Sequence, residues 1–319
     1  MRLTVVVPTF ERRASVFRLL RALCRQTAAP GDFEVIVSID GSQDGTREMV
    51  DAFDAPYALA SVYHANRGRA AARNAGLEAA AGELVVFLDD DMEPAPGFIA
   101  GHLAAHVGGG SRGVVGAAPI IAGASAAPIA RYMGRAFDAR LERLARAGEV
   151  LFKDAYTGNF SAPRSLLRGI GGYDEGFQLY GHEDYELLYR LVEAGATLVY
   201  APEALAYQYH EKTFPAVARD AMARGRTAVY FARKHPTVAG QLRLGAYDRE
   251  TSKWRLLRGA LLWATRVFPG LPRAVIGLLT RLERRQPRRL DRYYTMALDY
   301  CYWVGVQAVT REPAAQGAS

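Results

Sequence analysis

"VVFLDDDMEP", residues Val85 to Pro94, decides the fold and poses its chemical problem in one line. Val85, Val86, Phe87 and Leu88 make a short apolar run of the length of a buried strand, and Asp89, Asp90 and Asp91 follow without a break. Three adjacent carboxylates raise one another's pKa and resist burial unless a cation or a ligand compensates them. Hard divalent cations such as Mg²⁺ or Mn²⁺ take one or two carboxylates and complete their shell with water and substrate phosphates. The expected partner is therefore a metal diphosphate.

Working outward, apolar β-type runs at Leu3–Pro8, Val35–Ile39, Ala58–Tyr63 and Leu84–Leu88 alternate with helical patterns. Ser15 is placed to cap a helix carrying Val16, Leu19, Leu20 and Leu23, a second helix starts near Thr46, and an alanine-rich one stops at Gly82. Such alternation predicts βαβ units: an α/β fold with a mostly parallel sheet flanked by helices. The polar clusters "PTFER", "DGSQDGT" and "DDD" all follow strands, where open α/β sheets collect their ligands. Gly108–Pro128 reads as a mobile loop with a short strand at Val114–Ala117, and Arg131–Gly148 as a helix.

At 319 residues and 50% hydrophobic content the chain can bury a large core, and its net charge of +7 suits an anionic partner. Much of the arginine excess lies after Arg219, so two regions are expected: an α/β domain over 1–213 and a helical C-terminal region over 214–319. Cys24 and Cys301 form neither a disulfide framework nor a metal motif. "MRLTVVVPTF" is read as a first strand, and no run reaches the roughly 18 apolar residues of a membrane span. A cytoplasmic protein is expected, touching at most the inner face of a membrane.

Asp40 ends the second strand, where it can accept a hydrogen bond from a ligand N–H such as a uracil imide. Asp40, Ser42, Asp44 and Gly45 also match half of a calcium loop, but a strand precedes it and position twelve is Asp51 instead of Glu. Arg67 and Arg73, with Asn74, lie near a helix start and can meet phosphate or base. In "GHEDYELLYRL", Glu183 and Asp184 open an amphipathic helix after the glycine-laden "GIGGYDEGFQLYG". His210, after a predicted strand, is a candidate third metal ligand beside Asp89 and Asp91.

Together "VVVPTFER", "VSIDGSQDGT", "NRGRAAARNAG", "FLDDD" and "GHEDYELLYRL" resemble, in family order, the GT-A glycosyltransferases of family 2, over about Met1 to His210. "GGYDEGFQLYGHED" looks like the acceptor-side segment of galactosyltransferase-like relatives. The resemblance implies a Rossmann-like GT-A sheet with Pro8, Thr9, Glu11 and Asp40 around the nucleoside, Asp89 and Asp90 near ribose and donor sugar, and Asp91 on the metal. It implies Asp184 as general base of an inverting transfer from a nucleoside-diphosphate sugar, UDP-sugar first. The acceptor would lie against Glu183, Asn159, Gly171, Gly172, Tyr173 and His182, and could be carbohydrate, lipid-linked or a small molecule.

Two rivals compete with this expectation. One is an aspartyl phosphatase of haloacid dehalogenase type with Asp89 as nucleophile, although Glu93 stands where that motif wants threonine or valine. The other is a non-enzymatic protein held on anionic membranes by Arg281, Arg284, Arg285, Arg288, Arg289 and Arg292, whose helical spacing Pro287 interrupts. A helical subdomain or a homo-oligomer interface explains the same basic tail, and no nucleic-acid-binding module accompanies the charge.

Overall fold

A computed structural model describes residues 2–122, 127–147, 150–242, 252–285 and 288–310, so Gly148 and Pro287 lie outside the described residues. The strands are β1 (Leu3–Thr9), β2 (Phe33–Asp40), β3 (Ala58–His64), β4 (Leu84–Leu88), β5 (Met92–Pro94), β6 (Arg112–Gly116), β7 (Ile120–Ile121), β8 (Asn159–Pro163), β9 (Thr197–Ala201) and β10 (Ala206–Tyr209). The helices are α1 (Arg13–Leu23), α2 (Thr46–Asp51), α3 (Arg69–Ala79), α4 (Phe98–Ala105), α5 (Pro128–Arg146), α6 (Arg164–Gly169), α7 (Glu183–Glu193), α8 (Phe214–Lys234), α9 (Ser252–Val267), α10 (Leu271–Glu283) and α11 (Leu290–Thr310).

The chain divides into two compact units. The first takes the described residues of 1–123, 133–178 and 183–210, and the second those of 124–132, 179–182 and 211–319. In the first, a seven-stranded sheet runs β3-β2-β1-β4-β8-β6-β9. Every residue of β1 is buried, as a central strand covered on both faces requires, whereas edge strand β3 alternates and exposes Tyr63. β1 pairs in parallel with β2 and β4, and β8 runs antiparallel between β4 and β6, which makes the sheet mostly parallel. The register Leu3↔Leu84 and Leu3↔Phe33 brings Thr9, Asp40 and the Asp89–Asp91 triplet to one end of the sheet. A smaller sheet, β5-β10-β7, sits beyond the triplet.

Four local expectations change. Ser15 lies inside α1 and does not cap it: the N–H of Arg13 donates instead to Asp44 Oδ2 at 2.8 Å, so the cap comes from another loop. The alanine-rich helix ends at Ala79, because Ala80 is already extended. The Arg131–Gly148 helix begins earlier, at Pro128, and runs to Arg146. Within the expected mobile loop, Ile120–Ile121 instead joins β10 as a parallel strand.

The second unit is helical. Ala228, Val229, Tyr302 and Val306 form a core between α8 and α11. A buried ion pair joins Arg258 to Asp299 at 2.7 Å. Among the described residues no helix is long and apolar enough to cross a membrane.

Candidate active site

The aspartates diverge as soon as the strand ends. Asp89 donates its N–H to Gly158 O at 2.9 Å, and its carboxylate accepts from Arg73 Nη2 at 2.7 Å. A Cβ on Gly158 would lie 2.5 Å from Asp89 Oδ2, so only glycine lets β8 approach this close. Asp90 accepts from Thr9 Oγ1 at 2.8 Å and faces Arg12 at 3.8 Å. Burial pushes its carboxyl up to about 7; Arg12 and the Thr9 bond oppose the rise, and the charges of Asp91 and Asp89 add to it. Asp91 lies within 3.4 Å of Gln208 Nε2, and its carbonyl accepts from the N–H of Tyr209 at 2.9 Å. His210 is the next residue after Tyr209.

Across from this rim, Asp184 in the first turn of α7 accepts from the N–H of Thr157 at 3.2 Å and from its hydroxyl. Its neighbour Glu183 is buried; burial first and then the Asp184 charge raise its pKa, with Arg73 and Arg69 opposing. Arg73 stands between the two carboxylate groups. It is only 3% exposed and stacks over the Tyr173 ring, 5.2 Å from the centroid. Burial works against its charge, and Asp89, Tyr173, Asp184 and Glu183, in that order, hold the guanidinium protonated. Its Nε and Nη1 are buried without hydrogen-bond partners.

The loops that frame the rim are fixed by their own polar groups. Asp40 accepts from the N–H groups of Arg67 at 2.7 Å and Gly68 at 2.9 Å, with His64 Nδ1 at 3.3 Å. A ligand N–H would have to share those oxygens. Glu11, held at φ 54°, receives the N–H of Gln43 at 2.8 Å and gives its own to Ser42 Oγ at 2.8 Å. Asp44 binds Arg13 and Thr46, and although burial works against it these bonds hold its carboxyl below the usual range. The loop "DGSQDGT" therefore joins two helix starts.

Several of the expected site residues make contacts of their own within the fold. Arg73 is buried and its guanidinium is engaged by Asp89. Pro8 is buried in β1 in register with Ser38. Asn159 is 0% exposed: its Oδ1 accepts from His102 Nε2 at 2.9 Å, and its Nδ2 donates to Ala117 O at 2.9 Å and Ala204 O at 2.8 Å, so it fastens neighbouring segments together. His182 belongs to the second unit, where its ring meets Thr227 Oγ1 at 3.0 Å; burial, then Arg224, push its pKa down to about 3. Gly171 and Gly172 take φ of 81° and 67°, and a Cβ on Gly172 would strike Asn74 Oδ1 at 2.5 Å, so a side chain here would displace Asn74. Asn74 in turn clamps Tyr173, donating to its carbonyl at 2.9 Å and accepting its N–H at 2.8 Å. Arg67 reaches Glu175 at 2.5 Å. Thr157, Arg12 and Glu175 escape a sequence reading, since no spacing links them to the aspartates.

Among the described residues no three His, Cys, Asp or Glu side chains gather in metal-holding geometry, so Asp89, Asp91 and His210 form no ready cage. The oxygen-rich donor set fits a hard cation that takes one or two carboxylates and draws its other ligands from phosphate and water.

The family described as Glycosyl transferase family 2 matches residues 4–168, and the N-terminal domain of galactosyltransferase matches residues 149–213. Validoxylamine A glucosyltransferase of Streptomyces hygroscopicus subsp. limoneus is 32% identical over 267 residues, covering 75% of this chain and 58% of that protein. Pre-mycofactocin glycosyltransferase of Mycobacterium tuberculosis is 32% identical over 248 residues, 75% of this chain and 49% of its own. The chain thus spans about half to three fifths of the length of these relatives. Among solved structures, the mannosyltransferase PcManGT from Pyrobaculum calidifontis in complex with GDP-Man and Mn²⁺ has a TM-score of 0.64 at 21% identity, over 98% of this chain and 88% of that one. S. aureus TarS 1-349 in complex with UDP gives 0.55 at 15% identity, over 100% and 94%. These two likenesses establish the GT-A type of fold. With the family match extending over more than half of its length, the chain belongs to glycosyl transferase family 2.

Proposed function

We propose that the protein transfers a sugar from a nucleoside-diphosphate sugar to an acceptor hydroxyl with inversion at the anomeric carbon. The observation that carries this reading is the Asp184 carboxylate, oriented by two Thr157 donors and facing the Asp89–Asp91 rim through Arg73. Asp184 accepts the acceptor's hydroxyl proton as that oxygen bonds to the anomeric carbon. The bond from that carbon to the diphosphate oxygen breaks on the opposite face, and the nucleoside diphosphate leaves with the bonding electrons. Thr9, Glu11 and Asp40 frame the nucleoside, with Asp40 acting mainly through the Arg67–Gly68 backbone that it orders. A divalent ion, held by Asp91 with Asp89 or His210 and by diphosphate oxygens, would neutralise charge on the leaving group.

Family membership and the GT-A sheet support this reading over the phosphatase, as does the engagement of Asp89 by Arg73. The domain roles follow: donor binding and chemistry in 1–213, a different task in 214–319. A turnover screen over UDP-, GDP- and dTDP-sugars, with Mn²⁺ and with chelator, tests it. Release of nucleoside diphosphate from at least one donor, suppressed by chelator, is expected; phosphate release from generic phosphoesters with no donor turnover would overturn it.

A further inference from the structure

Helix α9 presents the wrong side to water. Three of its polar side chains point inward: Trp254 Nε1 and Arg258 Nη1 both donate to Asp299 Oδ2, at 2.8 and 2.7 Å, and the Thr265 hydroxyl meets that of Tyr300 at 2.5 Å. Its exposed side carries Leu256 (75% exposed), Leu257, Trp263 (64%) and Val267, with Phe268 (66%) just beyond, and the cations Lys253 and Arg266 are exposed at its two ends. Large apolar side chains exposed together in this way mark an interaction surface. The next helix continues it with exposed Leu278, now mixed with arginine: Arg273 and Arg281 in α10, then Arg284, Arg285, Arg288 and Arg292 up to the start of α11, are all exposed. There is no acidic side chain in α9, and Glu283 in α10 accepts the Tyr294 hydroxyl at 2.5 Å.

We propose that the α9–α10 face docks on a bilayer surface rich in anionic phospholipid. Charge decides the occupant. A second copy meeting this face in a two-fold dimer would set arginines against arginines, which opposes association. Anionic headgroups complement the arginines, while Leu256, Trp263 and Phe268 enter the headgroup boundary, the division of labour of an interfacial helix. This surface lies in the second unit and needs nothing from sugar transfer; it would give 214–319 its task.

Flotation with phosphatidylcholine vesicles, with and without phosphatidylglycerol, tests the proposal on the full chain, alongside L256S/W263S and R281S/R284S/R285S variants whose folding is checked by circular dichroism. The parent should float with the phosphatidylglycerol vesicles and not with phosphatidylcholine alone. Removing the two apolar side chains should lower partition at least about tenfold, and each arginine removed should lower it about fivefold. If L256S/W263S fails to fold, the arginine variant, which touches only exposed positions, decides the matter. Absence of flotation with anionic vesicles would overturn the proposal. So would undiminished flotation of either folded variant, or a concentration-dependent dimer abolished by L256S/W263S without vesicle binding.

Discussion

Arg73 and Asp89 meet at 2.7 Å, and the guanidinium that makes this contact is almost fully buried while the carboxylate is partly open to solvent. The pair ties helix α3 to the end of β4, and its cation also faces Asp184 and Glu183. One buried positive charge thus balances carboxylates from both sides of the candidate site. Replacing Arg73 by Met should cost about 1–3 kcal/mol, discounted for the exposure of Asp89, and should abolish donor turnover. Arg73→Lys keeps the charge but not the fork or the stacking on Tyr173, so it should restore stability more than activity. Thermal melting and turnover on both variants check this.

Asp184→Asn should lower kcat about 10²–10⁴-fold and leave donor affinity within about twofold. Initial rates paired with calorimetric donor titration distinguish a lost base from a lost binding group. A variant with parental kcat would remove Asp184 from the chemistry.

Gly158→Ala places a methyl group 2.5 Å from Asp89 Oδ2 and 3.2 Å from Met92 Cε. The carboxylate must move, so turnover should fall sharply for a stability loss of about 1–3 kcal/mol. The same substitution at Gly169, where nothing lies within 4 Å, should be tolerated and serves as the control.

Acid should weaken the fold through two histidines. His102 donates from Nε2 to Asn159 Oδ1 and accepts at Nδ1 from Ser161, whose oxygen accepts in turn from His106 Nε2 at 2.9 Å. Burial pushes the two rings down to about 3 and about 4, from an ordinary 6.5. The folded values lie below the unfolded one, so the unfolded chain binds protons first. Stability is therefore full above pH 6.5 and declines as pH falls toward 4, by about 1 kcal/mol per pH unit for each ring. Urea denaturation between pH 7 and pH 5 should show this slope, flattened in His106→Gln; parallel slopes would contradict it.

Strand positions were legible because apolar β-type runs leave little choice: Leu84–Leu88 matches the structure residue for residue, and β1 to β3 differ only at their ends. The end of the sheet that gathers Thr9, Asp40 and the aspartates was legible for the same reason. Partners across the sheet were not. Nothing in the periodicity says that β8 inserts antiparallel beside β4, that Asp44 caps α1, or that Thr157 orients Asp184. Asn159 and Gly172 sit in motif-bearing segments, but their packing against His102 and Asn74 was not legible from the sequence. In α9 the apolar positions were visible in the sequence, but which side faces water depends on the inward Arg258–Asp299 pair.

Calorimetric titration of UDP, GDP and dTDP into the parent and an Asp91→Asn variant, with and without Mn²⁺, tests the role of the aspartate rim most directly. At least one nucleotide should bind the parent more tightly with Mn²⁺, and Asp91→Asn should lose that gain. Failure of all three to bind, or an unchanged Mn²⁺ effect in the variant, would contradict the assignment of this rim to a metal-bound diphosphate.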